Sequence, residues 1–193
     1  MPYKDLYEFA QGLEPVVNRN AIRDKILELT GASGFRFFRH PGLDKNKLAG
    51  MYVHPGNLDH QFSRQAQGKH VVALAYDLNR CWDRFVSVKE MMHLFDDDLE
   101  KANTEDDFDS IIDGLFDEAF DGQMSPQCVS EIRCFWMAVG VLCPERIRSE
   151  LHRKRDAGEM TDLEIAEYLK VPAAYIGSFC SPNIKKIMQR LIS

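Results

Sequence analysis

Apolar positions recur at helical spacing at both ends of this chain and give way to strand-like patterns between them. Leu6, Phe9 and Leu13 fall three and four residues apart, and Ile22, Ile26 and Leu27 follow suit, predicting helices over residues 3–12 and 20–30. Asn20 is the expected N-cap of the second helix and Gly31 its stop. The segment GFRFFRHPG alternates aromatic and basic residues before Pro41-Gly42 and reads as a short strand. Residues 48–53 and 70–76 are two more strand candidates. The polar NLDHQFSRQAQGK between them is expected to be loop, with His54-Pro55-Gly56 as a turn.

From Asp83 to about Phe95 the helical period returns, with Phe85, Val88, Met92 and Phe95 on one side. Another amphipathic helix is predicted over 104–120. A buried one follows from Ser125 to Val141, closed off near Cys143-Pro144, and a charged one from Glu145 to Arg155, ending near Gly158. Thr161 followed by Glu164 forms a capping box. Helices, a small antiparallel sheet and helices again make an α+β fold. The division is a single domain over 1–193, with a core at 48–144 and a C-terminal helical segment at 145–193.

Composition narrows the class. Of the 193 residues, 45% are hydrophobic and 28% charged, as in ordinary globular chains. The longest apolar runs, such as Val71 to Tyr76, are too short to span a membrane. The segment MPYKDLYEFA carries no secretory or myristoylation pattern, so the expected location is cytoplasmic. Five cysteines without a C-x-x-C pair argue for free thiols over a disulfide framework or zinc ribbon. Met91, Met92, Trp82 and Trp136 are expected in the core or lining its pockets.

The formal net charge is −6, which speaks against a general nucleic-acid binder. The acid is concentrated in an insert at about 96–124, where Asp96, Asp97, Asp98, Asp106, Asp107 and Asp109 are prominent. The later chain is basic by comparison. This asymmetry marks the insert as a candidate surface for a basic protein partner.

One short motif carries chemistry. In H-E-x-x-H, two histidines four residues apart on one helix face hold zinc, and the glutamate polarises a metal-bound water. Here the same spacing holds Lys89, Glu90, Met91, Met92 and His93. The general base Glu90 and the second ligand His93 are present, and the first ligand is a lysine.

The surroundings extend the pattern. HVVALAYDLNRCWDRF precedes the motif, with Arg84-Phe85 leading into the helix, and SEIRCFWMAVGVLCP follows it. These stretches resemble the ImmA/IrrE family of small zinc metallopeptidases, which have a zincin-like fold. In that family a third ligand glutamate opens a pattern close to E-x-x-A-N-x-F-A-A-x-L-L-M-P. Glu131 stands at that glutamate, and Ala138, Leu142 and Pro144 match, while Cys134-Phe135 replace Ala-Asn. LEIAEYLKVPAAYI resembles the family's ending, so the likeness covers roughly 48–180. It implies Glu90 as catalytic base and His93 and Glu131 as metal ligands, with Lys89 at the first-ligand position.

Lysine ligates a metal only when neutral, and neutralising it near pH 7 costs on the order of 4–5 kcal/mol. The simpler expectation is that the Lys89 ammonium takes the metal's place between carboxylates. The protein is then a pseudo-peptidase without a cofactor, regulating through protein contacts, with a helix-turn-helix repressor as the partner class the resemblance implies. Two alternatives stand beside it. One is an active zinc peptidase that cleaves such a repressor. The other is a DNA-binding regulator using residues 162–176, where Ile165, Ala166, Leu169, Val171 and Ile176 have helix-turn-helix spacing. Its second helix offers only Ala173, Ala174 and Tyr175, which is poor for base readout.

Overall fold

The computed structural model describes residues 2–96 and 126–193. Among these residues the fold is α+β, with nine α-helices and a three-stranded sheet. The helices are α1 (Pro2–Gln11), α2 (Arg19–Thr30), α3 (Gln61–Gln65), α4 (Arg80–Met92) and α5 (Pro126–Leu142). They continue as α6 (Glu145–Asp156), α7 (Asp162–Leu169), α8 (Ile176–Phe179) and α9 (Ile184–Ile192). The strands are β1 (Phe35–His40), β2 (Gly50–Val53) and β3 (His70–Ala75). The predicted helix at 104–120 lies outside the described residues.

The sheet is mixed, which corrects the antiparallel expectation. β3 lies in the centre, parallel to β1 with Phe35 opposite His70, and antiparallel to β2 with Tyr52 opposite Val72. All six β3 residues are buried, so both faces of the central strand are covered. Its alternation then sends Val72 and Leu74 to the main core and Val71 and Ala73 to a smaller cluster with Val53, Phe62 and Ala66. Phe62 lies on α3, a five-residue helix where a loop was expected, and Ala66 is its C-cap. Two apolar residues in a polar stretch are too few to show a period, yet they roof the far face of β3.

Three local predictions have physical outcomes. Gly31 ends α2 in the left-handed region at φ 67, as expected. The start differs, because Asn18 is the cap and accepts the N–H of Asn20 at 2.8 Å. Thr161 and Glu164 form the capping box at α7, with both reciprocal bonds present.

α4 is the central helix. Asn79 caps it, accepting from Cys81 and Trp82 backbone N–H groups at 3.0 Å each. It packs on β2, β3, α2 and α5, and every residue from Phe85 to Met92 is buried. Met91 and Met92 are core, as is Trp136, while Trp82 is half-buried against Tyr175. The helix tightens into a 3-10 turn over His93–Phe95, which carries the chain to Asp96. All five cysteines are free thiols. No helix among the described residues is long and apolar enough to cross a membrane.

Candidate functional site

A helix buried on all sides leaves no water-facing side for charged residues, so Lys89 and Glu90 must find partners inside. Lys89 finds Glu131 on α5, while Glu90 is met by Lys89 itself and by His93 at the end of its own helix. The Lys89 ammonium bonds Glu131 and lies 2.8 Å from Glu90 Oε1. His93 turns its Nε2 toward the same pair, 3.2 Å from Glu131 Oε1 and 3.6 Å from Glu90 Oε2. The structure therefore brings together Lys89, Glu90, His93 and Glu131, four residues singled out in the sequence.

Burial and charge oppose each other here. Burial disfavours the Lys89 ammonium, but Glu131 and Glu90 outweigh it and hold Lys89 well above the ordinary lysine range. Burial likewise works against the Glu131 carboxylate, and Lys89 and His93 overcome it to keep Glu131 far below the usual value. His93 follows the same pattern. Desolvation is offset by Cys134, Asp96 and Glu131, and the imidazole is held well above its usual value.

The opposite edge of His93 holds residues that the sequence reading left aside or placed elsewhere. Nδ1 lies 2.6 Å from Asp96 Oδ2, which also accepts from Ser130 Oγ at 2.6 Å. Arg133 donates to Asp96 Oδ1 at 2.7 Å, and Cys134 Sγ lies 3.5 Å from Nδ1. Asp96 is only 6% exposed, which removes it from the candidate partner surface. Its oxygens are turned inward to His93, Ser130 and Arg133 and present no exposed acceptor to a partner protein. Of the other acidic candidates, Asp97, Asp98, Asp106, Asp107 and Asp109 lie outside the described residues. His93 and Asp96 are three apart, and that spacing at a helix end was the readable signal for this pairing.

Tyr52 completes the wall. Its ring stacks on His93 at 5.6 Å and on His70 at 5.9 Å, and its hydroxyl meets His70 Nδ1 at 2.7 Å. Burial pushes its phenol well above the ordinary range. His70, whose sequence spacing gave no reason to place it nearby, is thus one ring away from His93.

A zinc ion of the kind the resemblance implies would sit between His93 Nε2 and Glu131. The residues present do not fit it, because the Lys89 ammonium is bonded into that space. A different group of donors has the right chemistry for a metal: His93, Asp96 and Cys134, all buried, place ligand atoms within 4.8 Å of one another.

The basic C-terminal segment is largely neutralised. Arg146 pairs with Glu14, Arg148 with Glu145, Arg153 with Glu159, Lys154 with Glu150 and Arg155 with Asp162. Over 162–176, α7 ends at Lys170 in the left-handed region, a 3-10 turn spans Ala173–Tyr175, and α8 has only four residues. Ile176, Ser178 and Phe179 of α8 are buried. The apolar face of that segment packs into the core, and its second helix is only four residues long.

No family model matches the chain, and no curated protein or solved structure matches it either.

Proposed function

We propose that this protein is a pseudo-peptidase of ImmA/IrrE type, in which a fixed cation replaces catalytic zinc and function is exerted through protein contacts. One observation carries the reading. The Lys89 ammonium is bonded between Glu90 and Glu131, the base and ligand carboxylates of the motif. Glu90, ion-paired to Lys89 at 2.8 Å, is held by a cation where a general base would need to face a metal-bound water. The charges also balance, since Glu90, Glu131 and Asp96 face Lys89, an imidazolium at His93, and Arg133. The lysine and the second imidazole proton together bring the two positive charges a zinc ion would bring.

The alternative of an active zinc peptidase requires Lys89 to leave this position neutral. The test is metal content with its ligands. Lys89→His should bind zinc that Glu131→Gln removes, whereas the native chain should hold none in that position. Zinc in the native chain that Glu131→Gln removes, without a sulfur ligand, would overturn the proposal.

A basic protein, of which a DNA-binding regulator is one class, is the partner that an acidic insert suits. Replacing Asp97, Asp98, Asp106, Asp107 and Asp109 by asparagine should weaken capture of such a regulator, more so at low salt. Unchanged capture would remove the insert from the interface.

A further inference from the structure

His93 presents its two ring nitrogens to different surroundings. Nε2 faces Glu131 and Glu90, where the Lys89 ammonium already sits. Nδ1 faces Asp96, Ser130 and Cys134. On that edge lie an imidazole nitrogen, a thiol sulfur and a carboxylate oxygen, on three buried residues. Imidazole, thiolate and carboxylate are the ligand types from which zinc sites are built.

We propose that Cys134, Asp96 and Nδ1 of His93 form a structural site for a zinc-like dication, on the edge of the imidazole opposite Lys89. The proposal rests on the Lys89 reading, because the ammonium takes the Nε2 side and leaves Nδ1 as the nitrogen that can exchange its proton for a metal. The two sulfur edges suit it, and the 2.6 Å hydrogen bond between Nδ1 and Asp96 Oδ2 must lengthen as its proton gives way to the metal. Cys134 Sγ is 3.5 Å from Nδ1 and 3.7 Å from Asp96 Oδ1. Zinc–sulfur and zinc–nitrogen or zinc–oxygen bonds meeting at a tetrahedral angle give edges of about 3.4–3.6 Å. Ser130 Oγ, 3.2 Å from Nδ1, stands beside the group as a fourth polar atom.

The supporting shell is already built. Arg133 holds Asp96 Oδ1 at 2.7 Å and Ser130 holds Oδ2 at 2.6 Å, which fixes the carboxylate. Glu131 Oε1, 3.2 Å from Nε2, accepts the N–H that stays on the ring. A carboxylate behind a metal-bound histidine is the usual orienting partner. The charge ledger closes as well. The dication brings two positive charges, and two protons leave, one from Nδ1 of the imidazolium and one from the Cys134 thiol. All three ligands are buried inside the fold, so the site serves as a structural staple and not as a substrate pocket. It would tie the end of α4 to α5 across a sequence separation of 41.

The test uses the full chain, stripped with a chelator and titrated with Co²⁺. One equivalent should bind with a thiolate-to-cobalt charge-transfer band and raise the thermal midpoint, and Cys134→Ser should lose the band. If Cys134→Ser does not fold, X-ray absorption of the native chain loaded with zinc should show a sulfur neighbour at about 2.3 Å. Failure of the folded native chain to bind Co²⁺ overturns the site and leaves the Lys89 reading standing. A charge-transfer band that survives in Cys134→Ser assigns the metal to another thiol and also overturns it. Co²⁺ held without sulfur and released by Glu131→Gln places the metal at Nε2 and overturns both readings.

Discussion

Lys89 and Glu131 meet as a bonded ion pair although they stand 42 residues apart and belong to different helices. The helices α4 and α5 pack face to face, and this pair with Glu90 and His93 is the polar centre of an otherwise apolar contact. Glu131 is half-buried, but Lys89 and Glu90 are buried, so removing the lysine leaves the Glu90 carboxylate without compensation. Lys89→Met should therefore destabilise the fold by roughly 3–5 kcal/mol. Urea unfolding checks it. The double variant Lys89→Met/Glu131→Gln should lose less than the sum of the singles, because each single strands what the double removes.

The pH dependence follows from the three shifted groups. His93 and Lys89 are both raised in the folded chain. Their stabilisation is fully present below the unfolded values, about 6.5 and 10.4, and is lost as pH rises through the folded ones. Glu131 is depressed, so its contribution is present above about 4.3 and is lost as pH falls through its folded value. Stability from this cluster should be highest between about pH 4.5 and 6.5 and should decline above that as His93 binds its proton only in the folded state. Urea titrations of the native chain and His93→Gln across that range separate the terms. A variant curve that keeps the native decline just above pH 6.5 would rule out His93 as its source.

Arg84 is an anchor of a different kind. Its guanidinium donates to the carbonyls of Val17, Leu169 and Lys170 at 2.7 to 2.9 Å, and burial lowers its pKa to about 10. Arg84→Ala leaves these acceptors without that donor, at a cost of roughly 1–3 kcal/mol for each that stays dry. Arg84→Lys should recover only part, because an ammonium cannot reproduce the planar fork. Thermal midpoints of the two variants should rank in that order.

Gly140 allows a close approach between α5 and its neighbours. A Cβ there would lie 2.5 Å from Met188 Sδ and 2.8 Å from Tyr3 Oη. Tyr3 cannot easily retreat, since its hydroxyl donates to the Met137 carbonyl at 3.1 Å. Gly140→Ala should cost about 1–3 kcal/mol through overpacking, measured by denaturant midpoint with an unchanged slope.

Local physics made much of this structure legible in the sequence. Gly31, the Thr161–Glu164 box and the helical periods of α1, α4 and α5 depend on neighbours within a turn or two. The grouping of Lys89, Glu90 and His93 was foreseen because motif spacing encodes one face of a helix, whereas Glu131 was expected beside them only through the family resemblance. Strand order was not, because β1 pairs with β3 across the intervening β2 and no local pattern records that choice. Asp96 was misplaced for a related reason. In a run of aspartates each looks solvated, and only the tertiary approach of Ser130 and Arg133 draws the first one inward. Tyr52 gave no signal, since ring stacking between a strand and a helix end has no sequence period.

Arg84 has one more consequence. A single side chain on α4 grips the turn before α2 and the turn after α7 at once. A load applied near residue 17 or residue 170 is thus delivered directly to the helix that bears Lys89 five positions on. The sheet need not transmit it. Both outer segments of the chain share one mechanical handle on the interior.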